Sequence, residues 1–171
     1  MDTFIEYIVK KKKDTKDYII MAATVLGLIV LALACLIFNR MLFGIPFILL
    51  VFAVWGSYFI FTSRNIEYEY ILTNSELDID KIVARRSRKR VITINFKEIE
   101  VCAKTDNPNF KHNLDNKANV TRTEYLQGNM KSENVYFVDF TGGSGKTRVF
   151  FEPNERILNE LKKINPRCIN I

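Results

Sequence analysis

Tyr18–Phe38, YIIMAATVLGLIVLALACLIF, holds no charged residue, and neither does Leu42–Phe61, LFGIPFILLVFAVWGSYFIF. Each is close to the roughly 20 apolar residues with which an α-helix crosses a hydrocarbon core of about 30 Å. Asn39, Arg40 and Met41 alone separate them, so two spans here must fold back as an antiparallel hairpin. A transporter or proton relay places ionisable groups inside its spans. With none in either stretch, the pair predicts an anchor. Gly27, Gly44 and Gly56 offer sites of close helix packing, although no GxxxG is present. Pro46 falls in the first turn of the second span, where its missing N–H costs little.

Working outward, charge sets the expected orientation. Lys10, Lys11, Lys12, Lys13 and Lys16 precede the first span. Arg64, Lys81, Arg85, Arg86, Arg88, Lys89 and Arg90 follow the second, while the turn carries Arg40. Lys and Arg are retained on the cytoplasmic side. A multi-pass protein of the cell membrane is therefore expected, with both termini and residues 65–171 in the cytoplasm. Cys35, Cys102 and Cys168 show no CxxC or metal-like spacing, and in a reducing compartment they read as free thiols. Ala32-Leu33-Ala34-Cys35 has the look of a lipoprotein signal, but Ala32 stands where Leu is usual and Leu36-Ile37-Phe38 stay apolar beyond the cysteine.

Residues 1–17, MDTFIEYIVKKKKDTKD, form an amphipathic, basic segment. Phe4, Ile5, Ile8 and Val9 share one side of a possible short helix on the inner leaflet, with Lys10, Lys11, Lys12 and Lys13 reaching lipid phosphates. The competing reading is a frayed terminus whose lysines only set topology.

After Arg64 the apolar period changes to two. Ile66–Leu72, Leu77–Ile82, Val91–Phe96 and Ile99–Ala103 read as strands of an antiparallel meander, with Thr73-Asn74-Ser75-Glu76 as turn chemistry. Residues 105–134 are rich in asparagine and weakly periodic, a long loop with Thr123–Leu126 as its best strand. Asn119-Val120-Thr121 has the form of a glycosylation sequon, without meaning on the cytoplasmic side. Val135–Phe140 and Thr147–Phe151 flank Gly142-Gly143-Ser144-Gly145 as a hairpin. Pro153 opens a last helix with Ile157, Leu158, Leu161 and Ile164 as its stripe, and Pro166 stops it.

Gly145-Lys146-Thr147 mimics the end of a P-loop. However, GxxxxGK[ST] needs glycine where Phe140 stands, and Lys146 leads into a strand where a P-loop leads into a helix. His112, the one histidine, has no partner at metal-ligand spacing. Asp78 and Asp80 share a strand face and read as solvated. These features predict no catalytic residues, metal or cofactor. The remaining candidate is Arg85-Arg86-Ser87-Arg88-Lys89-Arg90, five cations in six residues, expected as the basic turn between two strands. Near a membrane such residues attract anionic lipid at about 1 kcal/mol each. A solvated turn that orients the domain explains them equally. Nucleic acid is disfavoured, since no aromatics interleave with them.

The strand EYEYILTNSELDIDKI, the basic turn, RVITINFKEIEV, the late hairpin and one C-terminal amphipathic helix resemble the bacterial pleckstrin-homology-like (PH-like) domains. DTFIEYIVKKKK ahead of two spans is similar to a small membrane-protein family of Gram-positive bacteria. The resemblance implies a bent antiparallel barrel of about seven strands capped by one helix, at residues 65–171, behind a membrane α-helical hairpin at 18–38 and 42–61. It implies a non-enzymatic, membrane-anchored binding module. Arg85, Arg86, Arg88, Lys89 and Arg90 would meet anionic lipid or a protein partner. The alternative is a structural or accessory subunit of a membrane complex.

Overall fold

The computed structural model describes residues 3–38, 44–115, 120–129, 132–143 and 145–170. Asn39, Arg40 and Met41 of the hairpin turn, Leu42 and Phe43 of the second expected span, Asn119 of the sequon and Ser144 of the glycine run lie outside the described residues. The chain falls into two compact units: Met1–Lys11, Glu67–Ile82 and Arg86–Ile171 form one, and Lys12–Ile66 with Val83–Arg85 the other.

In the second unit, helices α1 (Thr15–Phe38, 24 residues) and α2 (Ile45–Ser63, 19 residues) are built from the two apolar stretches. At 1.5 Å per residue they measure about 36 and about 28 Å, enough to cross a hydrocarbon core. Helices of this length and composition suggest a membrane protein. Leu26, Leu33, Leu36, Phe52 and Trp55 point outward, as they must where lipid is the solvent. Hydroxyls inside the helices are satisfied by the preceding turn: Thr24 Oγ1 donates to Ile20 O at 2.8 Å and Ser57 Oγ to Ala53 O at 2.7 Å. Cys35 Sγ donates to Pro46 O at 3.1 Å, which ties the helices near the hairpin's closed end. The glycines do not serve the packing expected of them. A Cβ added at Gly27, Gly44 or Gly56 meets nothing within 4 Å.

The N-terminal segment departs most from expectation. Phe4–Lys10 is not an interfacial helix but strand β1, antiparallel to β2 (Ile66–Thr73) with Tyr7 opposite Tyr70 and Lys10 opposite Glu67. FIEYIVK satisfies both periods. In a strand, Ile5, Tyr7 and Val9 turn inward while Phe4, Glu6, Ile8 and Lys10 turn outward. A partner strand that buries the first set decides between them, and that partner lies beyond both spans. The helical hairpin is thus inserted in the β1–β2 connection, and the β domain draws in residues before the spans as well as those after them.

Strands β1, β2, β3 (Glu76–Val83) and β4 (Ser87–Asn95) form a four-stranded sheet in that order. The other sheet holds β5 (Ile99–Lys104), β6 (Arg122–Tyr125), β7 (Tyr136–Gly142), β8 (Gly145–Phe151) and β9 (Ile169–Asn170) in the order β6-β8-β7-β5-β9. Most neighbours are antiparallel, but β6 and β9 join in parallel, Tyr125 opposite Phe150 and Cys102 opposite Ile169. Between the sheets lie Tyr70, Leu72, Leu77, Ile79, Ile94, Phe96 and Phe151, all fully buried, while Phe137 packs with Val101 and Ala103 on the other face of the second sheet, against Phe110 and Leu114. The Phe151 ring stands edge-on to Tyr70 at 6.2 Å.

Before β6 come a 3-10 turn (Pro108–Phe110) and the short helix α3 (Lys111–Asp115). Helix α4 (Glu155–Ile164) adds Ile157, Leu158 and Leu161 to the core. Its cap is Asn154, whose side chain accepts from Ile157 N at 2.9 Å, so Pro153 stands just outside the helix.

Two polar devices fasten the long 105–134 segment to the sheets. Arg148, opposite Asp139 across β7–β8, grips that carboxylate with Nε and Nη2, both at 2.7 Å. Both side chains are buried. Arg148 Nη1 donates to Leu114 O at 3.1 Å, and the guanidinium lies 5.4 Å from the Phe137 ring centre. The Glu152 carboxylate accepts from Gly128 N at 3.2 Å and Ser132 Oγ at 2.6 Å. Gly128 lies so close to β1 that a Cβ would sit 2.5 Å from Val9 Cγ1 and 2.7 Å from Lys10 O. Gly128→Ala is expected to destabilise the domain by about 1–3 kcal/mol, since a backbone carbonyl cannot swing aside as a side-chain tip can. A shift of the urea midpoint in detergent reports it. An unchanged midpoint would remove this contact from the account.

Candidate functional site

The basic stretch is not the single turn expected from sequence. The β3–β4 turn occupies residues 84–86, and β4 begins at Ser87. Ala84 and Arg85 both take left-handed torsions, φ 54 and φ 55. Side chains other than glycine and asparagine seldom do so. Arg85, Arg86 and Lys89 are exposed.

Arg88 and Arg90 instead face a row of carboxylates on the outer side of the sheet. Arg88 Nε meets Asp80 Oδ2 at 2.7 Å, and its Nη2 reaches Glu69 Oε2. Arg90 Nε meets Asp80 Oδ1 at 3.0 Å and its Nη1 meets Asp78 Oδ2 at 2.8 Å. Thr93 Oγ1 donates to Asp78 Oδ1 at 2.6 Å. Asp78 and Asp80 are therefore not a solvated face; Asp80 is 5% exposed and Glu69 3%. Arg88 and Arg90 keep 50% and 52% of their side chains in solvent, but their inner edges are committed to holding β2, β3 and β4 together.

Two of these carboxyls are pushed in opposite directions. Burial raises Glu69, a hydrogen bond with Glu6 raises it further, and Arg88 opposes both. Burial would raise Asp80 too, but hydrogen bonds from Arg90 and Arg88 outweigh it and hold its carboxyl low. A depressed acid stabilises the fold above its ordinary pKa, and that contribution fades as pH falls through the folded value; a raised acid does the reverse. Asp80→Asn is expected to cost about 2 kcal/mol at pH 7, because it strips charge from two guanidinium contacts, and to flatten the acid limb of stability. Glu69→Gln is expected to cost less at pH 7. Denaturation midpoints across pH 3–8 test both; equal losses for the two variants would sink the assignment.

The four lysines expected on an inner-leaflet helix straddle an element boundary. Lys10 ends β1 opposite Glu67, whereas Lys12 and Lys13 lie in the link to α1. Lys146 of the P-loop-like stretch is in β8 and pairs with Glu100, whose carboxyl it and the Thr141 hydroxyl hold low. His112 is exposed on α3. Burial pushes the Cys102 thiol up, leaving it unreactive. Among the described residues no group of His, Cys, Asp and Glu is placed to hold a metal ion.

Sequence reasoning missed Glu69, Asp78 and Asp80 as partners of the arginines. The signal was present in the alternation of Asp78 and Asp80 with Leu77 and Ile79, but not the register that brings Arg88 and Arg90 beside them.

No curated protein and no solved structure matches the chain. A family model described as Bacterial PH-like domain (DUF6106) matches residues 1–171, including β1 and both spans. PH-like domains are typically non-catalytic binding modules. Two sheets, a C-terminal helix and a match over the whole length agree, and the chain belongs to this family of bacterial PH-like domains.

Proposed function

We propose that this protein is a non-enzymatic binding module fixed to the inner leaflet of the cell membrane. Both termini and the β domain lie in the cytoplasm, and anionic lipid headgroups are its ligand. One observation carries the reading: the membrane hairpin is the connection between β1 and β2, so the domain is tethered at two adjacent strands. The links are residues 11–14 and 64–65. Lysine and arginine crowd those links and the β3–β4 turn, which supports orientation toward the cytoplasm and contact with anionic headgroups. Lys10, Lys11, Lys12 and Lys13 of the first link and Arg85 of the turn are the contact residues.

The test is purification of the full chain in mild detergent at low and high salt, with bound lipid identified by mass spectrometry. Anionic phospholipid retained at low salt and stripped at high salt is the expected result, since exposed charge contacts are screened. A protein that co-purifies through high salt in place of lipid would establish the accessory-subunit alternative, because apolar helix packing is not screened. Retention of neither overturns the binding reading.

A further inference from the structure

Three segments distant in sequence meet where the spans end. Asp14 and Asp17 cap α1 reciprocally: Asp14 N donates to Asp17 Oδ2 at 3.1 Å and Asp17 N to Asp14 O at 2.9 Å. Arg64, just past α2, brings Nη1 to 3.7 Å from Asp17 Oδ1. The next residue, Asn65, accepts through its carbonyl from Ala84 N at 2.8 Å. These contacts gather Lys12, Lys13 and Lys16 from one segment, Arg64 from a second and Arg85 from a third, all within the unit that contains the spans. The acids in these segments are Asp14 and Asp17, and Asp17 is already held by the cap and by Arg64. With five cations to two acids, these segments carry a positive formal charge. The Asn65 bond also anchors the turn in which Ala84 and Arg85 adopt their left-handed torsions.

The side chains beside this collar on the helices are apolar or aromatic and exposed: Tyr18 and Ile19 at the start of α1, Tyr58, Phe59 and Ile60 near the end of α2. Tyrosines at this level mark a membrane–water boundary. A ligand suited to both surfaces carries an anionic phosphodiester joined to acyl chains.

Resting on the binding reading above, we propose that this collar is a phosphodiester site for anionic phospholipid, built from Lys12, Lys13, Lys16, Arg64 and Arg85. Arg85 is the residue that the β3–β4 turn contributes to it. The cations further along β4 are not part of the site: Arg88 and Arg90 clamp carboxylates, and Arg86 and Lys89 lie beyond the turn's bond to Asn65.

The chain supplies its own probe, since Trp55 is its one tryptophan and is exposed on α2. The full chain is reconstituted in vesicles where either phosphatidylglycerol or phosphatidylcholine carries bromine on its acyl chains, and quenching of Trp55 gives the relative affinity of the two lipids. Each basic residue near the surface corresponds to about fivefold in association. Wild type is expected to prefer the anionic lipid severalfold at low salt. Lys12→Ser/Lys13→Ser/Arg85→Ser should fall to about parity, and Arg86→Ser/Lys89→Ser should keep the preference. Arg85→Ser alone should move in the same direction, with Arg85→Lys retaining the effect, which guards against a misfolded triple variant. A preference lost in Arg86→Ser/Lys89→Ser and kept in the triple variant overturns the collar while leaving lipid binding intact. Absence of any preference in wild type overturns both readings. Competition by inorganic phosphate beyond that of chloride at equal ionic strength would overturn the assignment to lipid in favour of free phosphate.

Discussion

Residues 65–171 expressed alone will not form a stable domain, although they contain every described strand after the helical hairpin. The missing piece is β1. Its loss removes the buried Val9, the inward Ile5 and Tyr7, whose ring packs 6.1 Å from Tyr70, and a ladder that runs from Phe4 opposite Thr73 to Lys10 opposite Glu67. At about 1.5–3 kcal/mol per fully buried side chain, somewhat less for partly exposed ones, the loss approaches the roughly 5–15 kcal/mol that holds an ordinary domain together. Restoring the strand should restore the fold. A chain in which Asn-Gly replaces residues 12–65, joining Lys11 to Ile66 through a two-residue hairpin turn, is expected to be soluble and to unfold cooperatively. Circular dichroism and a denaturant titration compare the two fragments. Cooperative unfolding of 65–171 at the midpoint of the joined chain would remove β1 from the domain.

The second large effect concerns Arg148 and Asp139. Removing one member of a buried pair strands the other, which costs about 3–5 kcal/mol, whereas replacing both by apolar residues of similar size is often nearly neutral. Arg148→Met is therefore expected to lose about 3–5 kcal/mol, and Arg148→Met/Asp139→Leu to regain most of it. Because Arg148 also holds the Leu114 carbonyl, both variants should speed amide exchange in residues 108–115. Denaturant midpoints in detergent and hydrogen exchange read the two effects separately. A double variant no more stable than Arg148→Met would show that the pair acts otherwise.

Much of the architecture could be read before any coordinates. Uncharged runs of membrane length, alternation in EYEYIL and LDIDKI, the glycine-rich hairpin and the stripe of α4 are local signals, and each became the expected element. The misses that changed the topology were non-local. FIEYIVK fits either period, and the strand that settles the matter comes after two long apolar helices. The parallel partners β6–β8 and β5–β9 leave no adjacent turn to announce them. The site was half legible for the same reason. A turn over residues 84–86 sets which side of β4 carries Arg88 and Arg90, and a shift of one residue would aim them at the core. Composition announced the cations, but only register showed that two of them were engaged with carboxylates.

The placement of the hairpin between β1 and β2 also bears on how the molecule is made. On the proposed membrane reading, β1 is made before the two helices and must wait, unpaired, while both are threaded into the bilayer. Its partner emerges only afterwards, and the two strands can meet only if the chain has crossed twice and returned to the side it left. A chain that inserts one helix and stops leaves β1 and β2 separated by the membrane, with the sheet unable to close. On that reading, closing the β1–β2 ladder depends on the topology of the anchor, and a misinserted chain keeps an unpaired β2 edge.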